Sequence, residues 1–371
     1  MSLGIYVHLP FCRTHCSYCA FAISTDVALQ DEYAEAVVRE IHGSSGLGPP
    51  ASEVESIYLG GGTPSRMSVP NLAKIVEAVV RGPRSEERGL LEFSMEANPE
   101  DITRISLDQW RSLGVNRISI GVQSFQDQEL IPLGRVHGAD AARQAVSLVA
   151  GSGVRTSLDL IAGLPNQTVE SFAATLDEAI ALGVGHISLY MLDLEERSPL
   201  AVQVARGRAV LPDDEEIAAM YVDAIGRLAR AGFHQYEISN FAREGEECLH
   251  NLRYWRRGEY LGFGLAAHSF AGGKRFANTR DIRRYIGGSP DVVDFVEQLG
   301  EDEVRRETIF LGLRQTSGIN CAELERLCGQ EVITEWIDRG LHDGWLEQQG
   351  ERVSFTPSGF LLSNEFISQL F

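Results

Sequence analysis

The sequence predicts an α/β fold: a partial (β/α)6 barrel with a small winged-helix-like α+β domain at its C-terminal end. Three observations predict it. Over the first two-thirds of the chain, short β-rich runs alternate with longer amphipathic stretches, as parallel βαβ units do. Six such strands fall within roughly 190 residues, which suits a barrel or partial barrel better than a short nucleotide-binding unit. The stretch from Glu301 to Phe371 reads as three helices, a hairpin and a last helix, a winged-helix pattern.

The strands are expected at Gly4–Leu9, Glu55–Leu59, Leu90–Glu96, Arg117–Gly121, Arg155–Ile161 and His186–Met191. They read as nearly continuous apolar runs, the kind a parallel sheet buries on both faces. Helical periodicity fills the gaps at about 27–42, 69–81, 103–113, 138–152 and 168–182. Gly114, Gly153 and Gly183 follow these runs as stop signals, and Thr168 with Ser171 marks a start. "HGSSGLGPPAS" (42–52) is a loop. Past residue 195 the pattern loosens: a helix over 213–231, then "FHQYEISNFA" as one more strand. The stretch Cys248–Phe276 is rich in Gly and aromatics and has no clear period. The expected units are a barrel over 1–230, an extension over 231–300 and the C-terminal domain over 301–371. In that last unit helices fall near 302–314, 320–328 and 331–343, "GWLEQQGERVSF" makes the hairpin, and Pro357 opens the final helix. Its 13 acidic residues against 6 basic ones argue that the wing packs on the barrel rather than on DNA.

The 371 residues are 44% apolar and 23% charged, the ordinary balance of a soluble globular chain. A net charge of −19 repels a phosphate backbone, so nucleic acid is not expected as a partner. No apolar run approaches the roughly 18 residues a membrane span needs. "MSLGIYVHLPFC" has neither the basic nor the long apolar region of a secretion signal. The expected compartment is the cytoplasm, with membrane contact, if any, peripheral. Six cysteines in such a chain do not suggest a disulfide framework. Cys248, Cys321 and Cys328 are scattered, as small buried apolar residues are.

Cys12, Cys16 and Cys19 are different. They stand as C-x3-C-x2-C directly after the first strand, which Pro10 ends. Zinc would want a fourth Cys or His, and His15, squeezed between two of the cysteines, is a poor donor. His8 belongs to the strand and reads equally well as a packed core residue. Three thiolates suit a [4Fe–4S] cluster with one iron left open to a ligand. Catalytic groups of a barrel gather at the C-terminal ends of its strands, and polar motifs recur there. Strand two ends in "LGGGTPS", three in "SMEANPE" with Glu96, four in "GVQSF" with Gln123, and five in "LDLIAGLP" with Asp159.

The cysteine triplet and these four motifs, in this order, resemble the radical S-adenosylmethionine (SAM) superfamily. More narrowly they resemble the oxygen-independent coproporphyrinogen III dehydrogenase (HemN) group, over essentially the whole chain. The resemblance implies that Cys12, Cys16 and Cys19 hold the cluster, whose open iron takes SAM and whose electron cleaves it to a 5′-deoxyadenosyl radical. Tyr6 would pack beside the cluster, and Gly61, Gly62 and Thr63 would meet the methionyl end of SAM. Glu96, Gln123, Arg135 and Asp159 would hold its amino-acid moiety and ribose.

Two departures redirect the function. The dehydrogenases continue with a fourth cysteine, where this chain has Phe21, and they carry an extension ahead of the triplet, where this chain has only 11 residues. Both departures match a sister group, the HemW haem chaperones, whose H-N-x-x-Y-W pattern is "HNLRYW" at 250–255. The resemblance then implies haem as a ligand, His250 as its axial donor, aromatic faces from Tyr254 and Trp255, and haem-accepting proteins, respiratory ones among them, as partners. Cys248 is another iron donor to consider, with no pattern behind it; the alternative for the segment is that His250 and Asn251 only pin an irregular loop while Trp255 fills a core. Two other functions stay open: a true dehydrogenase acting on coproporphyrinogen propionates, which these departures disfavour, and another radical SAM tetrapyrrole enzyme such as a haem-degrading methyltransferase. Whether SAM is cleaved in normal work also stays open.

Overall fold

The structure, a computed structural model, describes residues 2–44, 54–81, 91–196, 198–288 and 292–371. The expected loop over 42–52 and the expected strand residue Leu90 therefore fall largely outside the described residues. Six parallel strands form the centre of one sheet: β1 (Leu3–Leu9), β2 (Val54–Gly61), β3 (Glu92–Ala97), β4 (Arg117–Gln123), β5 (Arg155–Ala162) and β6 (His186–Met191). Helices Gln30–Gly43, Val69–Arg81, Arg104–Ser112, Ala139–Ala150 and Val169–Ala181 connect them, close to the expected ranges. Thr168 caps the last of these through the nitrogen of Ser171, and Ser171 bonds back, which is why that start was legible.

The sheet grows beyond these six at both edges. β8 (Asn240–Ala242) pairs antiparallel with β6, and β7 (His234–Gln235) pairs antiparallel with β8 at the edge. "FHQYEISNFA" is thus a tight hairpin rather than one strand, because Asn240 N closes a turn onto Glu237 O. On the other side β9 (Tyr260–Phe263) runs parallel to β1, followed by antiparallel β10 (His268–Ala271), β11 (Lys274–Asn278) and β12 (Val293–Gln298). The full order is β12-β11-β10-β9-β1-β2-β3-β4-β5-β6-β8-β7. Among the described residues β12 and β7 do not pair, so the barrel is open.

The strands alternate rather than run apolar throughout. Ile5, Val7, Ile57, Leu59, Phe93, Met95, Ile118, Ile120, Leu158 and Leu160 are buried in the main core cluster. Tyr6, Tyr58, Glu96, Asp159 and Ser188, with the opposite parity, take the other face. Register lines up this second set: Tyr6 lies opposite Tyr58, Glu96 opposite Ser119, Gly121 opposite Asp159, and Asp159 opposite Ser188. A closed barrel fills its interior with aliphatic layers; here the inward face is polar.

The floor of that interior is closed by the helix Leu249–Trp255. Glu92, fully buried, accepts from the backbone nitrogens of Leu249 (3.1 Å) and His250 (3.0 Å) and pairs with Arg117 at 3.2 Å. Arg117 also donates to the carbonyls of Glu246 and Glu247, both at 3.0 Å. A carboxylate at a helix N-terminus satisfies amides that have no partner within the helix.

The C-terminal region has helices Glu301–Leu313, Cys321–Cys328 and Gln330–His342, strands β13 (Ile319–Asn320), β14 (Leu346–Gln349) and β15 (Arg352–Phe355), and helix Pro357–Leu361. It docks through Ile238 N to Arg314 O (3.0 Å) and Thr316 Oγ1 to Gln235 O (2.8 Å). The wing is not what packs on the barrel: Glu347–Arg352 is exposed throughout. The acidic wing tip faces solvent, where its charge is hydrated at no cost.

Removing Glu92 would leave Arg117 buried without its counter-ion. Glu92→Ala is expected to cost about 3–5 kcal/mol, read as a lower denaturant midpoint with an unchanged slope. A loss under about 1 kcal/mol would show that this floor does not depend on the pair.

Candidate functional site

The loop after β1 runs back beside its own strand. Ser24 N donates to Pro10 O at 2.8 Å and Cys12 N to Ser24 O at 2.9 Å, which fixes the start of the cysteine segment. Cys12, Cys16 and Cys19 are free thiols, each partly exposed. All three line a cavity of about 360 Å³ over the C-terminal ends of β1–β6. Gly61, Gly62, Thr63, Glu96, Gln123, Arg135 and Asp159 line the same cavity, so residues spread over about 150 positions meet there.

The triple glycine has a packing reason that the sequence did not disclose. Gly61 sits at φ +110°, and a Cβ there would fall 2.6 Å from the His8 ring. A Cβ on Gly62 would fall 2.5 Å from the backbone of Pro10. Glycine lets β2 press against the root of the cysteine loop. Gln123, at φ +67°, ends β4 where its register with β5 slips. Such a conformation is costly for a residue with a Cβ and tends to occur where geometry serves a site.

Side chains reach the sulfurs from two sides. Thr63 Oγ1 lies 3.4 Å from Cys12 Sγ, and Arg135 Nη1 lies 3.8 Å from Cys16 Sγ. Arg135 Nη2 is anchored on Asn98 Oδ1 (2.8 Å) and Gly121 O (2.6 Å), while its Nε is buried with no partner among the described residues. Asn98, in the Asn-Pro that follows β3, was missed; a polar residue just past a strand end was the available signal. Tyr190 at the end of β6 was missed in the same way and also lines the cavity.

The acidic wall is unusual. Glu96 accepts from Tyr58 Oη and from Gly61 N, both at 3.0 Å, and Asp159 accepts from Ser119 Oγ at 3.0 Å. Burial first, then the nearby Asp159, push the Glu96 carboxyl up to about 8. Burial raises Asp159 to about 6, against the pull of its serine hydrogen bonds. Two carboxylates that resist ionisation make a pocket that favours a cationic ligand. Burial likewise raises the Cys12 thiol to about 11.

Two expected residues lie elsewhere. Tyr6 lines a neighbouring cavity, with its hydroxyl 3.1 Å from His8 Nδ1 and its ring stacked on Tyr58. His250 departs further from expectation. It is 1% exposed, its Nδ1 lies 2.9 Å from Ser56 Oγ, and its Nε2 lies 2.8 Å from Tyr254 Oη. Both ring nitrogens are engaged, and burial, with Arg253 beside it, lowers its pKa to about 3. As placed, it offers no nitrogen to an iron. Cys248 is no better: it is buried against Glu92, and burial pushes its thiol up to about 12. The "HNLRYW" segment closes the barrel floor, and Tyr254 is its member in the wall of that neighbouring cavity. Trp255 does not line it.

Residues 6–179 match the model of the radical SAM superfamily, and residues 299–362 match the HemN C-terminal domain. The haem chaperone HemW of Synechocystis is 36% identical over an alignment covering 100% of this chain and 97% of that protein. The chain belongs to the HemW family. Relatives from Bacillus subtilis, at 35% identity with 97% of each chain covered, and from Escherichia coli, at 33% with 98% and 97% covered, carry the same name. Among solved structures, coproporphyrinogen III oxidase (HemN) of E. coli superposes with a TM-score of 0.84 over all of this chain and 90% of that one; at 21% identity this shows the fold. A HemW-family chain thus keeps the mixed α/β radical SAM fold with a HemN-type C-terminal region. No described helix is long and apolar enough to cross a membrane.

Glu96 makes stability depend on pH. Its raised carboxyl adds stability that is complete below its unfolded value of about 4.5 and is lost as pH climbs through about 8. The cofactor-free protein should therefore lose stability from about pH 5 to about pH 8, with a slope from this one group of at most about 1.4 kcal/mol for each step of one in pH. Glu96→Gln should flatten that slope; a variant with the wild-type slope would refute the assignment.

Proposed function

We propose that this chain holds a [4Fe–4S] cluster on Cys12, Cys16 and Cys19, binds SAM beside it, and carries haem to haem-accepting proteins, respiratory ones among them, in the cytoplasm. The observation that carries the cofactor part is the convergence of three thiols with a buried arginine and two hard-to-ionise carboxylates on one cavity. The donor set fits. Among the described residues no three His, Cys, Asp or Glu side chains converge on one metal ion, as a mononuclear zinc site would need. Thiols spread along a cavity wall suit a four-iron cube, in which each sulfur takes a different iron.

When bound, the cluster supplies an open iron and an electron at the cavity. The chain's own residues do the rest. Thr63 and Arg135 direct a hydrogen bond and a positive charge at thiolate sulfur, which stabilises the charged form. Glu96 and Asp159 offer anionic oxygens to the ammonium and sulfonium charges of SAM, and that pairing compensates the burial that otherwise keeps them protonated. Haem carriage is supported by full-length likeness to proteins named haem chaperones and by Phe21 in place of the dehydrogenase's fourth cysteine.

Anaerobic reconstitution should give about four irons and four sulfides per chain, and Cys16→Ala should abolish the cluster. Uptake of zinc alone would refute the cluster. SAM should alter the EPR spectrum of the reduced cluster, and Asp159→Ala should weaken SAM binding about tenfold or more, the worth of a charged contact. Turnover of coproporphyrinogen III with SAM and reductant would replace the chaperone reading by the dehydrogenase one.

A further inference from the structure

A second cavity, of about 500 Å³, lies on the inward face of β1 and β9–β11, and none of the residues assigned above to the cluster or SAM, apart from Tyr6, belongs to it. Its size falls within the roughly 300–1,000 Å³ typical of ligand and cofactor sites. Phe21 belongs to the walls of both cavities, so the two are neighbours across one ring. That ring is 66% exposed, an unusual place for a large apolar side chain without a partner.

Three features make this cavity specific. Arg257, Arg275 and Arg280 line it against a single carboxylate, Glu307, so it is cationic within a chain of net charge −19. Glu307 is shared between Arg257 (Nε–Oε2 3.0 Å) and Arg275, and Arg280 spends one nitrogen on Ala20 O at 3.0 Å. Aromatic rings and small apolar residues make up much of the rest: Tyr254 and Tyr260 in edge contact (4.6 Å between centroids), Phe270 under Arg257 and Arg275, and Ala20, Ala22 and Leu311. Backbone strain collects here too. Of four non-glycine residues at positive φ among the described residues, Arg257 (+52°) and Ala266 (+53°) line this cavity.

The decisive feature is a histidine. His8 lines the cavity, but its Nδ1 faces Tyr6 Oη at 3.1 Å and its Nε2 faces Ala22 O at 2.9 Å. His268, at the start of β10, is exposed, and neither of its ring nitrogens has a hydrogen-bond partner among the described residues. Resting on the haem-carriage reading above, we propose that haem occupies this second cavity, with His268 as its axial ligand, the arginines facing its propionates and Phe21 against its edge.

Each part of the ligand finds its counterpart. The iron needs an imidazole nitrogen with no other partner, and His268 offers one on the cavity wall. The porphyrin face needs apolar and aromatic walls, and its carboxylates need cations on the same rim. His250 then has a positioning role: its bond to Tyr254 Oη holds that ring in the cavity wall.

Titration of the full-length chain with haemin and, separately, with iron-free protoporphyrin IX tests this. His268→Ala should move the Soret band and weaken haemin about tenfold or more, yet leave protoporphyrin IX binding nearly unchanged, because only the iron bond is lost. Arg280→Glu, a surface change with one backbone contact to lose, should weaken both ligands by a similar factor. Haemin bound by His268→Ala with the wild-type spectrum and affinity would overturn this site while leaving haem carriage intact. A wild-type chain that takes up no haemin would overturn haem carriage itself. Folding of each variant is checked by its melting curve, and Gln in place of Ala at His268 gives a second variant of similar bulk.

Discussion

The interior of this protein is organised by one carboxylate. Glu92 meets Arg117, two helix amides and the thiol of Cys248, and so joins the start of β3, the start of β4 and the helix that closes the barrel floor. Because the sheet does not close, its inward face cannot be sealed by aliphatic layers, and polar side chains must find partners within it. From that floor a continuous contact chain rises: His250 stacks on Tyr58 at 5.2 Å, Tyr58 donates to Glu96, and Glu96 receives the amide of Gly61 beneath the cysteine loop. A second branch runs from His250 through Tyr254 to Tyr260. One helix thereby sets both cavity walls.

Much of this was legible in the sequence. The six central strands stand within two residues of expectation, and the strand-end motifs meet in one cavity because parallel strands put all their C-terminal ends on one side. The alternation inside the strands was also present, in "RISIGVQ" and "TSLDLIA", and marks one polar face. Reading these as continuous apolar runs concealed that the inward face is hydrophilic.

The rest was not legible for physical reasons. In the stretch Cys248–Phe276 a seven-residue helix is followed by four-residue strands, too short for any period to emerge. The role of His250 depends on Ser56 and Tyr254, one of them far away in the chain. A histidine next to aromatics looks the same in sequence whether its nitrogens are free or spent; only burial distinguishes the two. The second cavity draws on the segment after the cysteines, on β9–β11 and on the helix Glu301–Leu313, and no local motif spans such distances.

Phe21 carries a consequence beyond replacing a cysteine. A ring that forms part of two cavity walls cannot be packed against an occupant of one without changing the surface offered to the other. Ligands in both cavities would be thermodynamically linked, and linkage is reciprocal: whatever factor the first imposed on the affinity of the second, the second would impose on the first.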